Sequence, residues 1–228
     1  MSTVFVSASG TSLGKTFVTC RLLRELAAAG YGCRALKPVV TGFDAEEVLA
    51  SDTGKILDAL GRSIDPDSIA AVSPWRFAAP MSPDMAARRE SRSLPFDALI
   101  EFCRPSSAID LTLIEGVGGV MAPLDERHTV LDWIQALDVP VLLVVGSYLG
   151  TLSHSLTAAG ALAGQGLELA GVIVNESEQQ PVPLAETAQT LRNFLPDARI
   201  AELPRQAPAS SPGPALLPLL ARYLPRVN

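Results

Sequence analysis

The sequence predicts an α/β fold: one doubly wound, mainly parallel sheet flanked by helices. A β run opens through a glycine-rich turn into an amphipathic helix and then a second β run, which is the first unit of a parallel sheet. Apolar runs and helical segments then alternate along the chain. One of those runs, Val141 to Val145, is apolar throughout, as a strand covered on both faces must be.

The elements follow in order. Thr3 to Ala8 reads as a strand that runs into Gly10, Thr11, Ser12, Leu13, Gly14, Lys15 and Thr16. The period then changes, with Val18, Leu22, Leu23 and Leu26 on one side of a helix and Arg21, Arg24 and Glu25 on the other. Gly30 supplies a stop, and Cys33 to Leu36 forms a strand ending at Lys37-Pro38. Residues 44–104 read as more helical, broken by a loop over 73–83. Asp110 to Glu115 is a strand with an acidic end, followed by Gly116, Val117, Gly118 and Gly119. Beyond Val145 come a helix over 153–163, a strand over 170–174, a helix over 184–194 and a last strand over 199–203. Pro204 to Pro218 reads as an extended loop. Leucines 216, 217, 219, 220 and 224 then suggest a terminal helix packed on the core. Pro218 and Pro225 interrupt it, and only Arg222 and Arg226 charge it, so a membrane-binding helix is the poorer reading.

Composition narrows the function. At 228 residues, a chain buries roughly 70–75% of its unfolded surface, so residues 1–228 are read as one domain. No apolar run approaches the roughly 20 residues of a membrane span, and the N-terminus lacks a signal-peptide pattern. A cytoplasmic protein is the expectation. A net charge of −6 with no basic block argues against nucleic acid as a partner. Cys20, Cys33 and Cys103 have no metal-like or redox-like spacing and read as buried small hydrophobes. Of 18 cationic side chains only Lys15, Lys37 and Lys55 are lysines, which points to places where a compact ammonium is wanted.

Phosphate binding is the strongest signal. A glycine-rich turn at a helix start presents backbone N–H groups to an anion, aided by the helix dipole. Lys15 can reach the β- and γ-phosphates, and the Thr16 hydroxyl can ligate Mg²⁺. The usual spacing asks for glycine five positions before Gly14, where this chain has Ser9. Glu115, at the carboxyl end of a parallel strand, points into the crevice where such sheets bind ligands. Lys37 enters the same crevice. Two cations there repel by a few kcal/mol unless an anion lies between them, which assigns Lys37 to charge on a transferring phosphoryl group or a carboxylate-like substrate. Asn175 is open to two readings, an adenine contact or a cap at a strand end.

Together these segments resemble the dethiobiotin synthetases. The resemblance runs from about Val4 to Pro204 and is carried by Thr11 with Gly14-Lys15-Thr16, Lys37-Pro38-Val39, Ser51-Asp52, Pro80 to Pro83, Glu115 to Gly119, and Leu149-Gly150. It implies a P-loop NTPase fold working as a homodimer. It also implies a reaction in which 7,8-diaminononanoate takes up CO₂ (or bicarbonate) as a carbamate, ATP phosphorylates the carbamate, and the second amine closes a cyclic urea. By motif matching, Ser12, Leu13, Gly14, Lys15, Thr16, Phe17, Glu115, Gly116, Gly118, Asn175 and Pro204 bind nucleotide, and Thr16, Asp52 and Glu115 hold Mg²⁺. Asp44 competes with Asp52 for that role. Lys37, Lys15 and Thr11 are matched as catalytic. Thr11, Lys37 and Thr41 match positions that touch the diamine or its carbamate, and Gly150, Thr151, Leu152 and Ser153 match the loop that, from the partner subunit, receives the substrate carboxylate. Ala8, Gly10 and Thr187 depart from the family pattern, which carries glycine, an acidic residue and tyrosine there. The competing reading is an ATP-driven switch of the partitioning or division-site type on the same fold. Such switches carry a lysine near the start of the loop, and no lysine precedes Lys15.

Overall fold

The computed structural model describes residues 2–104, 109–205 and 215–225. Along the chain these form β1 (Ser2–Ala8), α1 (Lys15–Ala28), β2 (Cys33–Leu36), β3 (Val39–Thr41), α2 (Asp52–Ala59), α3 (Pro66–Val72), β4 (Trp75–Phe77), α4 (Pro83–Arg89) and α5 (Phe96–Phe102). There follow β5 (Leu111–Glu115), α6 (Val130–Leu137), β6 (Val141–Val145), α7 (Thr151–Gly164), β7 (Leu169–Asn175), α8 (Leu184–Phe194) and β8 (Ile200–Leu203). Six strands make one sheet in the order β2-β5-β1-β6-β7-β8, and every pairing in it is parallel. Their carboxyl ends therefore share one edge. The strand order reverses beside β1, and that is where open parallel sheets leave a ligand crevice.

Alternation along the strands divides the apolar residues between two cores. Val4, Val6 and Ala8 of β1 join Leu142 and Val144 of β6 on the face covered by α1 residues Leu22, Leu23 and Leu26. Phe5, Leu143 and Val145 pack on the other face with Trp133 and Ile134 of α6. The Phe5 and Trp133 rings meet edge to face at 4.8 Å. Local capping fixes several helix starts. The Ser51 hydroxyl accepts from Gly54 N at 3.1 Å to open α2, and Asp65 accepts from Ser68 N at 2.8 Å to open α3. A reciprocal Thr129–Asp132 capping box opens α6.

Three expectations need correction. The 73–83 stretch is not only loop: β4 pairs in parallel with β3 as a separate two-stranded ribbon. Each strand has three residues and lies near prolines, too little chain for a period to show. The terminal segment is a 3₁₀ helix, Leu217–Tyr223, with Pro218 near its start. Its packing is as expected. Leu216, Leu219 and Leu220 are buried, and Glu25 Oε2 accepts from Leu216 N and Leu217 N at 2.8 Å each. Cys33 is half-buried, whereas Cys20 and Cys103 are buried. Residues 206–214 of the expected extended loop and Arg226 lie outside the described residues. No described helix is long and apolar enough to cross a membrane.

Candidate active site

The site begins where β1 runs out. Ser12 (φ 58°) and Gly14 (φ 88°) both take left-handed backbone, which folds the turn tightly before α1 starts at Lys15. Gly14 is further constrained, because a Cβ there would fall 2.2 Å from Asn175 Nδ2. The same amide donates to Leu13 O at 2.9 Å, so the end of β7 pins the turn. Gly10 meets the loop after β5. A Cβ on Gly119 would lie 3.1 Å from Gly10 N and Cα, so the backbones of these two glycines come close.

A cavity of about 920 Å³ opens over α1's N-terminus, with Thr11, Ser12, Gly14, Lys15 and Thr16 on one side. Thr41, Pro80, Ser82 and Pro83 line it too, as do Lys37, Asp52, Val117 and Gly118. Glu115, fully buried at the end of β5, sits behind. Its Oε1 accepts from Thr16 Oγ1 at 2.7 Å and from Lys37 Nζ at 2.8 Å. Its Oε2 has no hydrogen-bond partner. Lys37 Nζ also donates to Gly116 O at 2.6 Å and lies 3.5 Å from Asp52 Oδ2. Asp52, the first residue of α2, thus joins the cluster. Asp44 instead accepts from Glu46 N at 2.8 Å on the exposed turn after β3.

Charge is concentrated here. Lys15 Nζ donates to Gly118 O at 2.6 Å and reaches Gly10 O at 3.5 Å. Burial, with the like charge of Lys37 behind it, lowers its pKa to about 8. Burial also opposes the charge on Lys37, but Glu115 and Asp52 outweigh it and raise its pKa above the ordinary lysine value. Burial works against the Asp52 carboxylate as well, but the Lys37 ammonium, a hydrogen bond from Thr16 and the charge of Lys55 together outweigh it and lower the pKa. Both lysines therefore face one cavity, as the parallel topology predicts. Their nearest compensating anions are the protein's own carboxylates.

A second cavity of about 480 Å³ shares Ser12, Gly14 and Phe17 and continues past Leu13, Asn175 and Glu176 to Arg205. Pro204 lies next to this wall, between Leu203 of β8 and Arg205. Gly116 takes part through its carbonyl, the acceptor for Lys37. Gly150, Thr151, Leu152 and Ser153 line neither cavity. They form the start of α7, where Thr151 is buried with its hydroxyl on Gly146 O at 2.7 Å, Gly150 has φ 97°, and neighbouring Leu149 is 85% exposed. Thr187 is buried in α8.

Sequence reasoning missed the outer rim. Cys20, Arg24, Lys55 and Asp58 also line the larger cavity. A signal was present: Thr16, Cys20 and Arg24 are spaced by four on α1, and Asp52, Lys55 and Asp58 by three on α2, so each set shares a helix face.

A family model described as AAA domain matches residues 2–212. The chain is 46% identical over 198 residues to an ATP-dependent dethiobiotin synthetase of Acidiphilium cryptum, covering 86% of this chain and 89% of the relative. It is also 46% identical over 208 residues to one of Caulobacter vibrioides, covering 90% and 93%. Among solved structures, the MinC:MinD cell division complex of Aquifex aeolicus aligns with TM-score 0.55 at 14% identity, over 99% of this chain and 87% of that one. MinD of Pyrococcus furiosus aligns with TM-score 0.51 at 16% identity, over 90% and 84%. At such identities these two share only the fold with this chain, that of the P-loop ATPases. The family is fixed by the close relatives: the chain belongs to the ATP-dependent dethiobiotin synthetases and is, by that membership, an ATP-dependent cyclo-ligase.

Proposed function

We propose that this enzyme, as a cytoplasmic homodimer, converts 7,8-diaminononanoate, CO₂ and ATP into dethiobiotin, ADP and phosphate. The observation that supports this reading is the meeting of Lys15, Lys37, Thr16, Asp52 and Thr41 in one cavity, with Glu115 behind them. An amine of the substrate adds CO₂ and loses a proton to become a carbamate. A carbamate oxygen attacks the γ-phosphorus and ADP departs. The second amine then attacks the carbamate carbon, phosphate leaves, and the cyclic urea closes.

The phosphoryl transfer brings two anions together, the carbamate and ATP, so the protein's part is positioning and charge compensation. Backbone N–H groups at α1's start and Lys15 hold the phosphates, with Asn175, Phe17 and Pro204 at the base end. Lys37 offsets charge on the carbamate and the transferring phosphoryl group. Thr11 and Thr41 orient the diamine, and Gly150 to Ser153 of the partner subunit receive its carboxylate.

The residues also fit Mg²⁺. Glu115, Asp52 and Thr16 are hard oxygen donors, and the buried Glu115 Oε2 lacks any partner. One or two carboxylates with phosphate oxygens are the usual Mg²⁺ environment. Bound there, the ion would neutralise phosphate charge.

The test mixes protein, diamine, bicarbonate, Mg²⁺ and ATP and looks for the cyclic urea by mass spectrometry. Diamine-dependent product is expected. ATP hydrolysis indifferent to the diamine would instead favour the switch reading.

A further inference from the structure

We propose that Lys37 is a built-in counter-ion for the metal carboxylates, and that its ammonium and a divalent cation exchange places on Glu115 and Asp52. The inference rests on the metal reading above. Lys37 Nζ has three oxygen neighbours, Glu115 Oε1 at 2.8 Å, Gly116 O at 2.6 Å and Asp52 Oδ2 at 3.5 Å. Those match the three donors of an ammonium group. The two carboxylates among them are also hard donors of the kind a small divalent cation takes. The side chain is 4% exposed, so water contributes little to its compensation.

The arrangement answers a problem that the metal-free protein has to solve. Glu115 is fully buried, and a buried carboxylate without a cation is strongly destabilising. Thr16 donates one hydrogen bond to Oε1, and Oε2 has none. Lys37 supplies the missing positive charge from the loop after β2. A divalent cation taking both carboxylates would leave Lys37 only Gly116 O, next to a like charge of twice its size. Lys37 then turns toward the cavity it already lines, where the anionic substrate groups are expected. The lysine reaches those groups because the metal has taken over its former partners.

Direct competition has a measurable consequence. A site whose acceptors are vacant only part of the time binds more weakly by that fraction. In nucleotide-free protein, Mn²⁺ titrated against its free-ion EPR signal should bind Lys37→Met at least about tenfold more tightly than the unaltered chain. Lys55→Gln is the control. It removes a positive charge that acts on Asp52 from the same helix but leaves the ion pair in place. Its affinity should rise less than about threefold, as expected for a solvent-exposed charge. Equal tightening in both variants, or none in Lys37→Met, overturns the proposal.

A second measurement needs only the unaltered chain. Its three lysines give at most three side-chain ¹⁵N ammonium resonances, assignable by elimination with Lys15→Arg and Lys55→Gln. The Lys37 resonance should be protected from exchange, then shift or lose protection as Mg²⁺ and a non-hydrolysable ATP analogue fill the site. A Lys37 resonance unmoved while the metal binds overturns the exchange and leaves the metal reading standing. Failure of any divalent ion to bind with the analogue overturns both.

Discussion

β5 and β6 flank β1 on opposite sides; both are five residues long and buried throughout, yet they end differently. β6 is apolar to its last residue and works purely by packing between two cores. β5 ends in Glu115, a buried carboxylate that needs Lys37 and Thr16 beside it. The comparison separates two kinds of work on a single sheet. Apolar area on β6 stabilises the fold, whereas β5 holds a costly buried charge behind the cavity, where the proposed function places the metal.

Mutations at the two strands should therefore fail in different ways. Lys37→Ala is the largest break: turnover per folded molecule should fall about 10²–10³-fold, as when one electrostatic donor is lost, and stability should fall too because Glu115 loses its counter-ion. Diamine-dependent ADP release at the normal rate would refute the assignment. Glu115→Ala leaves a buried ammonium with one carboxylate fewer. Stability should drop by about 3 kcal/mol in urea unfolding, and the Mg²⁺ dependence of turnover should weaken. An unchanged Mg²⁺ curve removes Glu115 from the metal. Val144→Ala, on β6, should cost about 2 kcal/mol of stability through lost burial and a small cavity, with kcat per folded molecule unchanged. A selective loss of kcat there would erase the contrast. The smallest effect concerns the thiols. Burial pushes Cys103 up to about 12 and Cys20 up to about 11, so both should resist Ellman's reagent at pH 8 until the chain unfolds. Half-buried Cys33 should react first.

Most of the sheet was legible because its central strands are largely apolar runs placed between helical segments. Val141 to Val145 and the 184–194 helix match to the residue. The convergence of Lys15, Lys37 and Glu115 was legible too, since parallel strands bring their carboxyl ends to one edge. The partner of Lys37 was only half legible. An anion between the two lysines was expected from substrate, and here Glu115 and Asp52 supply it, Asp52 coming from a helix whose position depends on tertiary packing. The rim formed by Arg24, Lys55 and Asp58 was hidden for the same reason: each helix face can be read alone, but their meeting cannot.

The β3–β4 ribbon has a mechanical consequence. It starts two residues after Lys37 and leads directly to Pro80, and its short ladder is continued by Phe43 N to Phe77 O at 2.9 Å and Gly42 N to Ala79 O at 3.1 Å. A few rungs outside the main sheet thus tie the segment that follows Lys37 to the segment that carries Pro80, and both line the cavity. The shape of that part of the lining thus rests on two strands of three residues each rather than on the six-stranded sheet.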